Sequence, residues 1–289
     1  MHTIGLYLLG KKGLDVLEKL SQKHLEKILF VVVGIDRNIQ YDYSAEIETL
    51  CKKNNISLYK KENTDIPQST IQFAIGWKWM IKECKDLIVL HDSLLPKYRG
   101  FNPLVTALLN NDQEIGVSAI RANFEFDKGN IILQKSILID YPIKINDVIE
   151  KISNLYSQIV IEIVELLEDG ELIEIVQDEI KATYSLWRNE DDYSINWDQS
   201  SEQILRFVDS VGFPYNGAKT LYENRFIRIL NVILIEEVEI INRCPGKFLY
   251  IQNGNPIVVC GSGMLKIIDA VYDDTGERVI FNKLRIKLV

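Results

Sequence analysis

The stretch from Asp86 to Leu104, DLIVLHDSLLPKYRGFNPL, sets a single histidine against a cluster of polar and turn-forming residues. Four aliphatic residues, Leu87 to Leu90, run directly into His91, and Asp92, Ser93, Pro96, Arg99 and Gly100 follow. Imidazole is the side chain best suited to moving protons near neutral pH. A second candidate stands downstream in FEFDKGN, residues 124–130, where Asp127 lies between aromatics and a glycine. A carboxylate beside a histidine fixes its tautomer and holds its charged form, the arrangement that general acid–base chemistry requires. On spacing alone Asp127 serves equally well as a turn residue before Gly129. The other histidines, His2 near the start and His24 on a lysine-rich helix end, have no comparable setting.

These residues need a frame. The run Leu87 to Leu90 reads as a strand buried on both faces, as in the middle of a parallel sheet. His91 then sits just beyond the carboxyl end of that strand, where open α/β sheets bind their ligands. Further strands are expected over 3–10, 27–36, 56–60 and 71–76, then over 118–121 and 131–136 with Asp127 in the loop between them. Helices are expected over 14–22, 44–55 and 77–85, and strand alternating with helix implies βαβ units. From Asn146 to Glu168 apolar residues recur at helical spacing, with Asn146 as N-cap and Gly170 as stop. Near residues 190–200 the texture becomes polar and aromatic, and short β-like runs follow. The expected fold is α/β: a Rossmann-like, mostly parallel sheet domain over 1–195, then a smaller β-rich, OB-like domain over 196–289.

Charge narrows the partners. The 289 residues carry a formal charge of −8, with residues 1–197 acidic and residues 198–289 balanced, so no segment offers the cationic surplus that nucleic acid demands. Cys51, Cys84, Cys244 and Cys260 are scattered and form no metal-ligand pairs, which fits a reduced, cytoplasmic protein without a metal. No apolar run reaches the ~18 residues of a membrane span, and Met1 to Gly10 is too short and too quickly followed by Lys11 and Lys12 to read as a signal peptide. Glycines at positions 5, 10 and 13 miss the dinucleotide-binding spacing.

HDSLLPKYRG followed some 25 residues later by FDKGN resembles the formyltransferases that use N10-formyltetrahydrofolate, whose core pattern is Asn-x-His-x-Ser-Leu-Leu-Pro-x-x-Arg-Gly and then an Asp-x-Gly-Asp loop. The tail, from INW through SSEQILRFVDSVGFPYNGAKTLYENRFIRIL to VVCGSGMLKI, resembles the second domain of methionyl-tRNA formyltransferases and of the enzymes that formylate nucleotide-linked amino sugars. The resemblance implies that a primary amine attacks the formyl carbon. His91 would take or relay the amine's proton and Asp127 would hold His91 in its charged form. Gly76, Trp77, Trp79, Leu94, Leu95 and Phe126 would line the site of the N10-formyltetrahydrofolate, although Trp77 and Trp79 read equally as core residues at a helix start.

One position departs from the pattern. Val89 stands where the family has its catalytic Asn, and an aliphatic side chain donates nothing to a developing oxyanion; Ser93 and Asn102 are the nearest replacements. Asn130 stands for the family's second Asp and is expected to alter loop hydrogen bonding. The charge balance favours the sugar-modifying branch, with a UDP- or dTDP-linked 4-amino-4,6-dideoxyhexose as partner and surface polysaccharide as destination. Lys78, Lys97, Arg99 and Arg188 are candidates for its pyrophosphate, and Trp187, Tyr184 or Trp197 for its base. Ser93, Tyr98, Gly100 and Asn102 complete the expected substrate contacts, while Arg99 reads equally as a structural ion-pair residue. A homodimer is expected from the sugar-modifying relatives. The competing readings are a methionyl-tRNA formyltransferase and a non-catalytic folate or nucleotide-sugar binder.

Overall fold

A computed structural model describes residues 2–81, 86–170 and 172–289. Two compact units divide the chain: Met1–Ala107, Asp112–Ile139 and Asp147–Trp187 form the first, and Leu108–Asn111, Asp140–Asn146 and Arg188–Val289 form the second.

In the first unit the apolar runs become strands β1 (Ile4–Leu8), β2 (Ile28–Val33), β3 (Ser57–Lys60), β4 (Ile71–Ile75) and β5 (Leu87–His91), with the short β6 (Arg99–Gly100) after them. β7 (Glu114–Arg121), β8 (Ile131–Leu138) and the two-residue β9 (Tyr184–Ser185) follow. The main sheet has the order β3-β2-β1-β4-β5-β7-β8. β3, β2, β1, β4 and β5 are mutually parallel, and β7 and β8 are antiparallel additions. Every residue of β1 is buried, as a strand covered on both faces must be. Helices α1 (Gly10–His24) and α2 (Ser44–Lys53) connect the first strands, α3 (Pro103–Leu109) follows β6, and α4 (Ile145–Asp169) is the long amphipathic helix expected from the periodicity.

The helix expected over 77–85 does not form in its described part. Trp77 to Ile81 are irregular, and residues 82–85 lie outside the described residues. Gly76 leaves β4 with φ +62°, a left-handed turn that a side chain would resist, since a Cβ there would stand 2.8 Å from the Leu9 carbonyl oxygen. The aromatics then pack inward: Trp77 meets Tyr7 edge-on with ring centroids 5.4 Å apart, and joins the cluster of Tyr7, Phe30 and Val32.

The second unit contains helix α5 (Ser201–Ser210) and the strands β10 (Ala218–Tyr222), β11 (Arg225–Ile235), β12 (Phe248–Gln252), β13 (Asn255–Val259) and β14 (Met264–Tyr272). α5 opens on a capping box in which Ser200 and Gln203 satisfy each other's backbone N–H groups. The strands form an antiparallel sheet in the order β10-β11-β14-β13-β12. The final residues reach both of its edges: Phe248 donates to Ile286 O at 3.1 Å and Leu221 to Val289 O at 2.8 Å. That double contact closes the sheet toward a small barrel. Trp197 is buried in this unit and donates its indole N–H to Thr220 at 3.0 Å, so it packs the core and is withdrawn as a candidate for a nucleotide base. Among the described residues no helix is long and apolar enough to cross a membrane.

Candidate functional site

β5 delivers His91 to the carboxyl end of the sheet, and pairing of Ile75 with Leu90 brings Gly76 out of β4 at the same end. His91 is buried, and its Nε2 lies 2.8 Å from the carbonyl oxygen of Tyr98. A carbonyl only accepts, so Nε2 carries the hydrogen and Nδ1 of the neutral ring carries the lone pair. Nδ1 faces Oδ1 of Asp127 at 3.5 Å. The neutral ring has nothing to donate there, whereas a proton on Nδ1 points at a carboxylate.

Asp127 is held by its other oxygen, which accepts the Gly100 N–H at 2.8 Å. The surrounding backbone is unusual. Tyr98 (φ 59°), Asn102 (φ 49°) and Asp127 (φ 57°) are left-handed without being glycine, and Gly100 has φ 103°. Such conformations persist only where surrounding contacts over-determine them, and they concentrate at functional sites. Tyr98 is pinned by its N–H to Thr183 Oγ1 at 2.9 Å and by its hydroxyl to Asp112 at 2.9 Å. Gly100 approaches the Ser185 carbonyl so closely that a Cβ would stand 2.5 Å from that oxygen.

Directly after His91, Asp92 forms a charged network. Its carboxylate pairs with Lys12 and accepts the Tyr156 hydroxyl at 2.5 Å. Burial alone would raise the pKa of Asp92, but the pairing with Lys12 and the bond from Tyr156 outweigh it and hold the carboxyl below the usual carboxylate range. Burial, then the neighbouring Asp92 charge, push the Tyr156 phenol well above its ordinary value. The network ties α1 and α4 to the end of β5.

The expected site residues divide by what they touch. Ser93 donates to Lys97 O at 2.6 Å and Leu95 is buried, its N–H bonded to Ser118 Oγ at 2.9 Å. Leu94 packs against Gly116, and with Asp92, Ser93, Lys97 and Tyr98 it lines a cavity of about 300 Å³ that His91 and Asp127 do not line. Lys97 pairs with Asp112 at 2.7 Å. Lys78 pairs with Asp36 at 2.5 Å, and both Lys61 and Lys78 stand over the ring of Trp79, at 4.4 and 5.5 Å. The carbonyl of Asn102 accepts the N–H and hydroxyl of Thr106 at the start of α3. Phe126 and Trp187 are exposed, at 71% and 61%, while Arg188 belongs to the second unit. Val89, the departure from the family pattern, is half-buried and shares a strand face with His91.

Arg99 is 1% exposed, and its guanidinium is engaged by Gln177 and by both oxygens of Glu179, at 2.7 to 3.1 Å. That is the ion-pair alternative open to it in the sequence. Hydrogen bonding from Arg99 holds Glu179 below the usual carboxylate range. Sequence reasoning missed Gln177 and the Lys12–Asp92–Tyr156 network. Neither has a local spacing signal, since the partners are brought together only by the sheet and the segment after α4.

Three comparisons bear on this site. Residues 75–164 match the family described as formyl transferase, and residues 189–276 match the formyl transferase C-terminal domain. A methionyl-tRNA formyltransferase of Caldanaerobacter subterraneus subsp. tengcongensis is 29% identical over 182 residues, 63% of this chain and 58% of that protein, so the match spans little more than half of the relative's length. In fold the chain is similar to WlaRD, a sugar 3N-formyl transferase solved with dTDP and 5-N-formyl-THF (TM-score 0.68, 20% identity, 98% of this chain and 99% of that one). It is similar also to the N-formyltransferase of Helicobacter canadensis, solved with folinic acid and dTDP-3-aminofucose (TM-score 0.67, 17% identity, 92% and 99%). With both domains matched in chain order over more than half of its residues, and a histidine and an aspartate facing each other at the end of β5, the chain belongs to the formyl transferase family.

Proposed function

We propose that the protein transfers a formyl group from N10-formyltetrahydrofolate to the amine of a UDP- or dTDP-linked amino-dideoxy sugar. The observation that carries this reading is the His91–Asp127 pair, with the protonatable Nδ1 turned to the carboxylate. A folate donor has a flat heterocycle with apolar faces and a polar edge. Residues of the right kind are present: exposed Phe124 and Phe126 precede Asp127, half-buried Val89 shares the His91 face, and the buried indole N–H of Trp77 has no acceptor among the described residues.

The donor, when bound, supplies the formyl carbon: one C–N bond forms to the sugar amine, one breaks to the donor nitrogen, and the proton shed by the amine ends on that nitrogen. The pair His91–Asp127 takes the proton in transit, with the charge on the imidazole balanced by Asp127. Gly100 keeps the carboxylate aimed at the ring through its N–H. Trp187 is proposed for the nucleotide and Lys78 for its phosphates; Asn102 remains the nearest substitute for the donor that Val89 cannot provide, the Ser93 hydroxyl being committed to the Lys97 carbonyl.

The choice of a sugar over a tRNA rests on charge, since neither part of the chain carries a cationic surplus. It is supported by the dTDP bound to WlaRD, a sugar 3N-formyl transferase, and by the dTDP-3-aminofucose bound to the Helicobacter canadensis N-formyltransferase. The names of the sequence relatives favour the second reading, methionyl-tRNA formyltransferase. A homodimer, a cytoplasmic location and a role in surface polysaccharide are part of the first reading. Mass spectrometry after incubation with N10-formyltetrahydrofolate and a panel of UDP- and dTDP-linked 4-amino and 3-amino dideoxy sugars is the test, with charged initiator tRNA alongside. The expected result is one added formyl group on one sugar, with the 4-amino-4,6-dideoxyhexoses as first candidates. Formylation of the tRNA alone would establish the second reading instead.

A further inference from the structure

Gln177 lies 50 residues from Asp127 and 78 from Arg99, yet its amide joins them. Its Nε2 donates to the Asp127 carbonyl at 2.8 Å and to the Gly129 carbonyl at 2.7 Å. Its Oε1 accepts from Arg99 Nε at 3.1 Å and Nη2 at 2.8 Å. Two donors and two acceptor lone pairs are all that an amide possesses, so Gln177 is saturated. The amide cannot turn over, because that would set its oxygen against two carbonyls and its NH2 against a guanidinium. Gln177 is buried, and Glu179 anchors the far side of Arg99.

The two carbonyls flank Lys128, so Gln177 clamps the backbone where Asp127 adopts its left-handed φ of 57°. We infer that Gln177, backed by Arg99, is a positioning residue that sets the distance between the Asp127 carboxylate and His91. The inference rests on the proton-handling pair of the proposed function. Arg99 thereby acts through Gln177 and not on substrate phosphate.

Gln177→Glu releases the clamp on the Asp127 loop while keeping the side chain's length. The carboxylate keeps an acceptor for Arg99 and loses both donors to the Asp127 loop. The expected result is a lowered melting temperature, because a buried carboxylate oxygen then faces two carbonyls, and, in the protein that remains folded at the assay temperature, a fall in kcat of about tenfold to a hundredfold with KM values within about twofold, as for a small misplacement of a catalytic group. A second readout needs no activity. With only three histidines in the chain, the ¹⁵N signal of His91 Nδ1 can be identified by its loss in a His91→Gln variant. Asp127→Asn is expected to move that signal in the parent protein, and to move it less than half as far when Gln177 is already Glu. Equal displacement in both backgrounds, no displacement in the parent, or an unaltered kcat in Gln177→Glu overturns the inference. If the parent forms no formylated product, the functional reading fails while the resonance cycle still decides the positioning role. Should Gln177→Glu not fold, Gln177→Met is put through the same cycle.

Discussion

The Nδ1 atom of His91 stands 3.5 Å from Oδ1 of Asp127, while Nε2 on the other side of the ring is committed to the Tyr98 carbonyl at 2.8 Å. The two contacts ask different things of the ring. The first is satisfied only by the charged imidazole, the second by either form. Replacing His91 by Asn, or Asp127 by Asn, is therefore expected to lower kcat by about 10²- to 10⁴-fold with small changes in KM. The double variant is expected to be little worse than either single one, because the two act as a unit. Steady-state kinetics on the three proteins checks this; multiplicative losses would mean separate roles.

Val89 tests what the chain has given up. It is half-buried on the strand face of His91, two residues before it. Val89→Asn is expected to raise kcat by about tenfold or more, toward the contribution of a single oxyanion donor. No gain in a stopped assay of formyl product would mean that another group already fills the role.

Much of the frame is legible in the sequence because it rests on local rules. The buried aliphatic runs of β1, β2, β4 and β5 and the apolar stripe of α4 announce themselves by period and length. His91 is legible because a polar residue ends such a run. The irregular course of Trp77 to Ile81 is not, since left-handed Gly76 and the packing of Trp77 on Tyr7 override the helical appearance of WKWMI. Gln177 is invisible for a further reason: its partners are far away in the chain, and nothing in EIVQDEI marks it as different from a surface glutamine.

Lys12→Met probes the network beside the site. Asp92 has a folded-state pKa below its ordinary value, despite burial, because Lys12 and Tyr156 favour its charge. A depressed carboxylate contributes stability at pH above the ordinary carboxylate range and loses it as pH falls through the folded value. Removing Lys12 takes away the largest of the contributions that oppose burial and leaves chiefly the Tyr156 hydroxyl to hold the charge. The loss at pH 7 is expected to be about 3 kcal/mol, at the low end for a broken buried pair because both side chains keep 16–17% exposure. Urea denaturation should show the gap between variant and parent narrowing as pH falls from the variant's higher folded-state pKa toward the parent's depressed one, the unfolded chain being common to both.

Gly129 occupies a place no side chain can share. A Cβ there would lie 1.7 Å from the Arg121 carbonyl oxygen, and the obstacle is backbone. Gly129→Ala is expected to cost about 1–3 kcal/mol, as overpacking does. Activity should fall further than stability does, because the same loop carries Asp127. Thermal melting compared with kcat checks the order of the two effects.

The clamp of Gln177 on Arg99 and Asp127 closes loops of 78 and 50 residues. Loop closure carries an entropic cost that grows with length, and contacts of this span form late. Because the clamp joins three separate segments, a refolding chain is expected to regain turnover no sooner than the segment after α4 docks on the Asp127 loop. During synthesis, a chain that has emerged only through α4 would hold His91 and Asp127 without the residue that fixes their separation, so competence arrives with the segment after α4.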